Sequence, residues 1–276
     1  MAVTIDDIKK LRNRTCCGIS DCKKALIEAD GAFEKAVDIL RKKGLKVAAS
    51  RSGMTTAEGV AISAVNAEKN FGAVILLACE TDFVSSNAMF VEVASKIVNA
   101  AVANKVKNVE DLKKVVIDNL SVEEYIVELM SKVTENISLA GFEFLESAVV
   151  VDYTHFNKKI AVLVGLDNVE LSEGIASTGK SLAMQIAAYN PVAVSRDRVA
   201  QDIIDRETEI SREQSAGAKN EEIAQKMVQG KLEKFFKENV LLEQLSMVDE
   251  KMQVRDYLKK VDPNMVIKDF KRISVG

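Results

Sequence analysis

The most conspicuous chemical pattern in the sequence is GxxxxGK[ST], which residues 174–181 match as GIASTGKS. Such a loop binds phosphates through its backbone N–H groups. A second feature fits the same chemistry, because the apolar run 148–152 (AVVVD) ends in an aspartate of the kind that binds Mg²⁺ in nucleotidases. The chemistry requires a strand that leads directly into the first glycine at a helix N-terminus. Here residues 166–173 intervene, and the AVVVD run precedes the loop, which reverses the usual order. We therefore predict that residues 174–181 belong to a helix, and we keep a phosphate-loop NTPase as the alternative.

Histidine and cysteine offer little further chemistry. His155 is the single histidine, so a Ser-His-Asp or Cys-His mechanism would have to use that one ring, and a histidine-rich metal site is excluded. The cysteines Cys16, Cys17, Cys22 and Cys79 form neither a CxxC pair nor a distributed disulfide framework. We predict no catalytic residue, no metal site, no cofactor and reduced thiols, which favours a cytoplasmic location.

The charge balance argues against direct nucleic-acid binding. Lys plus Arg number 38 and Asp plus Glu number 41, giving a net charge of −3, whereas binding to many phosphates requires a basic surface. The longest apolar run, 72–79, is much shorter than the ~18 residues that a membrane span needs. The first ten residues carry acidic and basic side chains rather than a signal-peptide core. We expect no membrane partner.

The elements that position these residues are mainly helices. Thr4 with Asp7 predicts the start of a first helix, Ser20 the N-cap of a second, and Gly44 the end of a third. The third helix repeats apolar residues at i, i+3, i+4 and i+7, namely Phe33, Ala36, Val37 and Leu40. A bundle of ~40 residues is marginal alone, so we predict that residues 1–44 are a docking module, followed by a linker at 45–58.

Two similar units are predicted to follow the linker. Apolar, β-rich runs at 59–67 and 71–79 predict a hairpin, and the next helix is expected to begin at Ser85 or Ser86. The helical spacing of its apolar residues predicts one buried face, formed by Phe90, Val93, Ala94, Ile97 and Ala101. Ser121 with Glu124 predicts a capping box at the start of a further helix near 122–135. The arrangement recurs with runs at 142–153 and 159–166, followed by a helix that presents Leu171, Ile175, Leu182 and Ile186 on one side. We predict an N-terminal core subdomain at 59–140 and a C-terminal one at 141–276.

Charge-dense helical stretches in 196–237, with a turn near 216–220, predict an antiparallel helical hairpin inserted in the second subdomain. A last strand is expected at 265–275. The fold class is therefore α+β: a three-helix N-terminal module, a two-part core of duplicated hairpin-plus-helix units, and the inserted hairpin. About two domains suit a chain of 276 residues.

Two short segments carry a family resemblance. Residues 11–15 with Gly18 and residues 21–26 (DCKKAL) resemble the N-terminal signature of the bacterial elongation factor Ts family, and Thr81-Asp82-Phe83-Val84 resembles its second signature. The two lie in the right order, one in the three-helix start and one at a strand-to-helix corner. Similarity continues through 135–137, 153–155, 160–165 and 222–228 and so covers nearly the whole chain.

That resemblance implies a translation elongation factor that acts as guanine-nucleotide exchange factor for elongation factor Tu and has a ubiquitin-associated-like N-terminal module. The segment Thr81, Asp82, Phe83 and Val84 is implied to displace the magnesium ion of the partner, with Asp82 and Phe83 inserted between its helices.

The resemblance also implies secondary contacts. Arg12, Ile19 and Ser20 fall where the N-terminal module of the family touches a helix of the GTPase domain, and His155 falls near the partner. The residues alone leave alternatives. His155 is also typical of a turn residue with a satisfied ring, a Phe83 that follows a strand is often part of a core, and the hairpin is either a solvated surface, a partner contact or a homodimer interface. A ubiquitin-associated-type adaptor with a scaffolding core is a third hypothesis.

Overall fold

The computed structural model describes residues 3–15, 17–51, 54–215 and 220–276. The fold is mixed α+β, as predicted. The chain divides into two compact units: unit 1 comprises Met1–Ile62, Ile75–Phe142 and Ser274–Gly276, and unit 2 comprises Ser63–Val74 and Glu143–Ile273. The predicted subdomain limits at 59–140 and 141–276 remain a prediction.

The helices are α1 Ile5–Thr15, α2 Ile19–Glu28, α3 Phe33–Arg51, α4 Asp82–Ser85, α5 Ala88–Ala103, α6 Val109–Lys114, α7 Val122–Val133, α8 Glu173–Tyr189, α9 Gln201–Glu213, α10 Glu221–Asn239 and α11 Val254–Val261. The strands are β1 Glu58–Val65, β2 Phe71–Cys79, β3 Val116–Ile117, β4 Leu120–Ser121, β5 Ser138–Glu146, β6 Val149–Thr154, β7 Ile160–Asp167 and β8 Val266–Ser274. They form sheets in the orders β1-β2-β5, β3-β4 and β6-β7-β8.

The first three helices pack together in unit 1 around a small apolar core. The cap predicted for α1 is confirmed, because Asp7 N donates to Thr4 Oγ1 at 3.2 Å and Thr4 N donates to Asp7 Oδ2 at 3.1 Å. Asp30 and Gly31 form the turn after α2, with φ values of 51° and 82°. The predicted apolar face of α3 is also confirmed, since Ala36 and Leu40 are buried and Phe33 and Val37 pack against the core.

Two predicted helix ends in this region are wrong. The N-cap of α2 is Gly18, because the helix already begins at Ile19 and the Ser20 hydroxyl lies within its first turn. Helix α3 does not end at Gly44 but continues to Arg51, so the first part of the predicted linker 45–58 is helical. A Cβ at Gly44 would lie 3.0 Å from the Cβ of Ser131 on α7. This glycine therefore permits close packing of two helices instead of ending one.

Helix α5 supplies much of the core of unit 1. Its predicted apolar face is confirmed, because Phe90, Val93, Ala94, Ile97 and Ala101 are all buried, together with Val98 and Val102. The helix begins at Ala88 with Asn87 as N-cap, whose side chain accepts from Met89 N at 2.9 Å. The predicted caps Ser85 and Ser86 are therefore wrong, since they end the preceding helix α4. Helix α7 opens with the predicted capping box of Ser121 and Glu124.

The longer strands differ from prediction at one place, and the two-residue strands β3 and β4 were not predicted. Strands β1 and β2 are neighbours, as the predicted hairpin requires. The single run predicted at 142–153 is wrong, because β5 ends at Glu146 and β6 begins at Val149 in a different sheet. The break is held by Asp167, whose Oδ1 accepts from Ser147 Oγ at 2.6 Å and from Ala148 N at 2.9 Å. These hydrogen bonds lower the pKa of the Asp167 carboxyl group.

Unit 2 is built on the antiparallel pair β6 and β7, in which Val149 opposes Leu166. Helix α8 packs on this pair through Ile175, Leu182 and Ile186, as predicted. Leu171, predicted on the same face, precedes the helix and is 52% exposed.

Helices α9 and α10 occupy the region predicted as a helical hairpin and contact each other. Lys231 Nζ on α10 donates to Gln214 Oε1 at the end of α9, at 2.7 Å. Of the turn predicted at 216–220, residues 216–219 lie outside the described part of the chain. At the other end, the Arg196 guanidinium donates to the carboxylates of Glu233 and Glu243 and lies 4.6 Å from the Phe236 ring centroid. Hydrogen bonds to Glu243 and Glu233 raise the pKa of Arg196.

Candidate functional site

The segment 80–86, called the corner below, turns the chain from β2 into α5. Strand β2 ends at Cys79 and the single-turn helix α4 begins at Asp82. Ser85 N donates to Thr81 O at 3.2 Å and Ser86 N donates to Asp82 O at 2.9 Å. The Ser85 side chain is buried, so this turn places the side chains of its first two residues outward.

The corner exposes an aromatic ring. Phe83 has 85% of its surface exposed, whereas Phe90 on the next helix is fully buried. Asp82 is also exposed, and its carboxylate makes no hydrogen bond or ion pair with the described part of the chain. Thr81 and Val84 are half-buried. Of the four residues predicted as the site, two therefore face solvent and two support the turn.

A pair of glutamates holds the corner to the end of α7. Glu135 accepts three hydrogen bonds: from Glu80 N at 3.2 Å, from Thr81 N at 3.1 Å and from Thr81 Oγ1 at 2.6 Å. In return, Asn136 N donates to Glu80 Oε1 at 2.6 Å. We call these four residues the clasp.

Sequence reasoning missed the clasp as a functional element. Glu80 and Glu135 are 55 positions apart, and no local pattern indicates a contact at that separation. The one signal was the family similarity at 135–137, which gave no role to Glu135.

The residues predicted as secondary contacts of the N-terminal module are exposed. Arg12 lies on α1, and Ile19 and Ser20 lie in the first turn of α2, which packs against α1. Ile19 is 58% exposed, and two other isoleucines of this bundle, Ile5 and Ile27, are exposed as well. Below them the Cys22 thiol is buried, which raises its pKa. No hydrogen bond or ion pair joins these three residues to the corner within the described ranges.

His155 lies in unit 2, where β6 turns toward β7. Its Nδ1 is 2.7 Å from Tyr153 Oη, and its backbone N donates to Ile160 O at 2.9 Å. The ring centroid of Phe156, which is 83% exposed, lies 4.6 Å from that of His155. The ring of His155 is thus partnered, as expected for a turn residue, and it sits beside an exposed aromatic side chain.

The phosphate-loop pattern at 174–181 is part of a helix, as predicted. Helix α8 begins at Glu173 with Ser172 as N-cap, so the whole pattern lies inside 17 helical residues. A Cβ at Gly179 would lie 2.5 Å from Val151 Cγ2, which shows that this glycine serves close packing of α8 on β6. Lys180 Nζ donates to Asp152 O at 3.2 Å and lies 4.9 Å from the Tyr153 ring centroid. These residues do not form a phosphate loop.

The described residues contain neither a metal-binding cluster nor a membrane-spanning helix. Among residues 3–15, 17–51, 54–215 and 220–276, no group of three or more His, Cys, Asp or Glu side chains is arranged to hold a metal ion. Within the same ranges, no helix has both the length and the apolar character needed to cross a lipid bilayer.

Comparison with known proteins identifies the family. The family model described as "Elongation factor TS" matches residues 80–276. "Elongation factor Ts" of Amoebophilus asiaticus is 47% identical over 277 residues, which cover 100% of both chains. The protein of the same name from Christiangramia forsetii is 40% identical over 275 residues, 99% of both chains, and that from Flavobacterium psychrophilum is 39% identical with the same coverage. The chain therefore belongs to the elongation factor Ts family of translation elongation factors.

Proposed function

We propose that this protein is a guanine-nucleotide exchange factor that binds elongation factor Tu in its GDP form, displaces the magnesium ion and promotes GDP release, so that GTP can bind. The observation that supports this most strongly is Phe83, a large apolar side chain that is 85% exposed at the tip of a corner fixed by hydrogen bonds. Membership of the elongation factor Ts family supports elongation factor Tu as the partner.

The physical basis is a change in the nucleotide pocket of the partner. A GTPase holds GDP through backbone amides and a magnesium ion, so a small displacement of the groups around the ion weakens nucleotide binding without any covalent step. Phe83 is the apolar anchor in this proposal, because rigid aromatic side chains dominate binding energy at interfaces. Asp82 brings a carboxylate next to that anchor, where it can compete for the polar groups around the ion. Thr81 and Val84 support the backbone turn.

The N-terminal helices act as the docking module in this proposal. Residues 1–44 form the ubiquitin-associated-like part, and Arg12, Ile19 and Ser20 contact the GTPase domain. His155 adds a contact from the other subdomain. We further propose subdomains at 59–140 and 141–276 and an antiparallel hairpin at 196–237 that is available for a partner or a second copy of the chain.

No chemical step is assigned to the chain itself. Exchange requires only that binding of the factor and binding of GDP weaken each other, and this coupling needs neither a nucleophile nor a cofactor. The phosphate-loop NTPase has no support from α8, because the whole pattern lies inside the helix and Ala176 N already donates to Ser172 O at 2.9 Å.

Release of GDP tests the proposal. Elongation factor Tu loaded with fluorescent GDP is mixed with excess unlabelled GDP and a twentieth of an equivalent of the chain, and the fluorescence decay is followed. We expect release to accelerate and each molecule of the chain to act many times. A release rate equal to that of elongation factor Tu alone would contradict the proposal. The chain incubated alone with fluorescent GDP serves as control and should bind none.

A further inference from the structure

The orientation of Phe83 depends on its backbone. With 85% of its surface exposed, the side chain has almost no neighbours that could fix it. Helix α4 is only four residues long, and so short a helix has no stability of its own. The direction in which the ring points is therefore set by the groups that hold residues 80–82.

Those groups converge on one carboxylate. Glu135 accepts from both backbone N–H groups that join β2 to α4, those of Glu80 and Thr81, at 3.2 and 3.1 Å. It also accepts from Thr81 Oγ1 at 2.6 Å. Thr81 is the N-cap residue of α4, yet its side chain makes no capping hydrogen bond. Its hydroxyl donates to Glu135 instead, and Glu135 also accepts from the N–H of this N-cap residue, as the glutamate of a capping box does.

Glu135 is itself held on both sides. It follows Thr134, the left-handed C-cap of α7 with φ 60°, and α7 is anchored by buried Ile126, Leu129 and Met130. Its other neighbour, Asn136, donates through N to Glu80 Oε1 at 2.6 Å and through Nδ2 to Met54 O at 2.7 Å. The clasp thus connects the corner to a packed helix by bonds in both directions.

We propose that Glu135 is a positioning residue for nucleotide exchange: through Glu80 and Thr81 it holds the corner in the orientation in which Phe83 enters the partner. This inference rests on the exchange function proposed above. Glu135 does not contact the partner in this account, and its whole effect passes through Phe83.

The test measures GDP release from elongation factor Tu at increasing concentrations of the full chain, which separates the maximal rate from the half-saturating concentration. We expect Glu135→Ala to lower the maximal rate by about 5- to 20-fold and to change the half-saturating concentration by less than about 3-fold. Glu135→Gln keeps one acceptor oxygen, so we expect a smaller loss, of about 2- to 5-fold. Glu123→Ala, at an exposed position in the first turn of α7, is the matched control and should behave like the unaltered protein.

A double variant distinguishes positioning from a general structural effect. If Glu135 acts through Phe83, then the double variant should release GDP less than about 2-fold more slowly than Phe83→Ala alone. Circular dichroism and thermal unfolding establish that each variant is folded. If Glu135→Ala is not folded, then Glu135→Gln is used alone and in the double variant.

Four outcomes would overturn the inference. If both Glu135 variants release GDP at the unaltered rate while Phe83→Ala is slow, the positioning role is wrong and the exchange function stands. If the two losses multiply in the double variant, or if only the half-saturating concentration changes, Glu135 acts somewhere other than through Phe83. If Phe83→Ala itself releases GDP normally, the proposed role of Phe83 in exchange is wrong, and the positioning role falls with it.

Discussion

The corner at 80–86 and the segment 174–181 in α8 each contain a short motif that predicts a function. They differ in the partners of their backbone N–H groups and in the exposure of their side chains. At the corner, two N–H groups are taken by the distant Glu135, and Phe83 is left facing solvent. In α8, the N–H groups belong to a 17-residue helix, and Gly179 is pressed against Val151. A motif therefore becomes available to a partner or ligand only where the fold leaves its side chains or amides unused.

The first prediction concerns the exposed ring of the corner. Phe83→Ala should slow GDP release from elongation factor Tu by about 10- to 100-fold, or roughly 1.4 to 2.7 kcal/mol, because it removes the apolar anchor. The free energy of unfolding should change little, since so exposed a ring makes few contacts within the chain. Fluorescent GDP release and chemical denaturation measure the two quantities.

Phe90→Ala is the matched control, because Phe90 is fully buried only seven positions later. We expect it to lower the free energy of unfolding by about 3 to 5 kcal/mol. If Phe83→Ala destabilised the protein to a similar extent, its ring would be a core residue and the contrast between the two phenylalanines would fail.

The second prediction uses the two glycines of the phosphate-loop pattern. Gly179→Ala should lower the free energy of unfolding by about 1 to 2 kcal/mol, because its Cβ would lie 2.5 Å from Val151 Cγ2. Gly174 has nothing within 4 Å of its Cβ position, so Gly174→Ala should leave stability unchanged or raise it by about 0.5 kcal/mol. Urea denaturation checks both. Equal losses for the two variants would show that packing on β6 does not explain Gly179.

The third prediction separates docking from displacement. Ile19→Ala should weaken binding to elongation factor Tu by about 3- to 10-fold, because it removes an exposed apolar contact. The maximal rate of GDP release should stay within about 2-fold, since this residue is not part of the corner. Titration of the release rate gives both values. A lower maximal rate with unchanged affinity would place Ile19 in the displacement step.

The sequence predicted most where the signal was local. The apolar period of α5 located Phe90 and Ile97 in the core, and Ser121 with Glu124 located the start of α7. The predictions failed where a residue type serves two purposes. Gly44, a good helix terminator, is instead a contact of α3 with α7.

The family resemblance located the corner in the sequence, but it did not indicate which residues hold the corner in place. Whether Phe83 faces inward or outward depends on how α4 turns, and that turn depends on Glu135, which is remote in sequence. The wrong prediction of where α5 begins also shows that a residue type alone does not identify a helix cap. Ser85 and Ser86 were reasonable caps, yet Asn87 caps α5 because the four residues of α4 come first. Hydrogen bonds between residues as far apart in sequence as Thr81 and Glu135 leave no periodic pattern that a sequence could reveal.

The smallest expected effect concerns Lys180. Lys180→Ala removes a hydrogen bond to Asp152 O and a contact with the Tyr153 ring, both at the surface, so stability should change by less than about 1 kcal/mol. GDP release from elongation factor Tu should stay within about 2-fold. The phosphate-loop alternative requires the unaltered chain to bind fluorescent GDP alone and this variant to lose that binding. Such a result would show that α8 binds nucleotide in addition to packing on β6 and β7.

The most direct test of the account is the reciprocity of binding. The affinity of elongation factor Tu for GDP is measured with and without saturating chain, and its affinity for the chain is measured with and without GDP. We predict that the two ratios are equal and that both shrink toward one in Phe83→Ala, because the coupling free energy passes through that side chain. A GDP affinity that does not change when the chain is bound would contradict the central claim that the corner opens the nucleotide pocket of its partner.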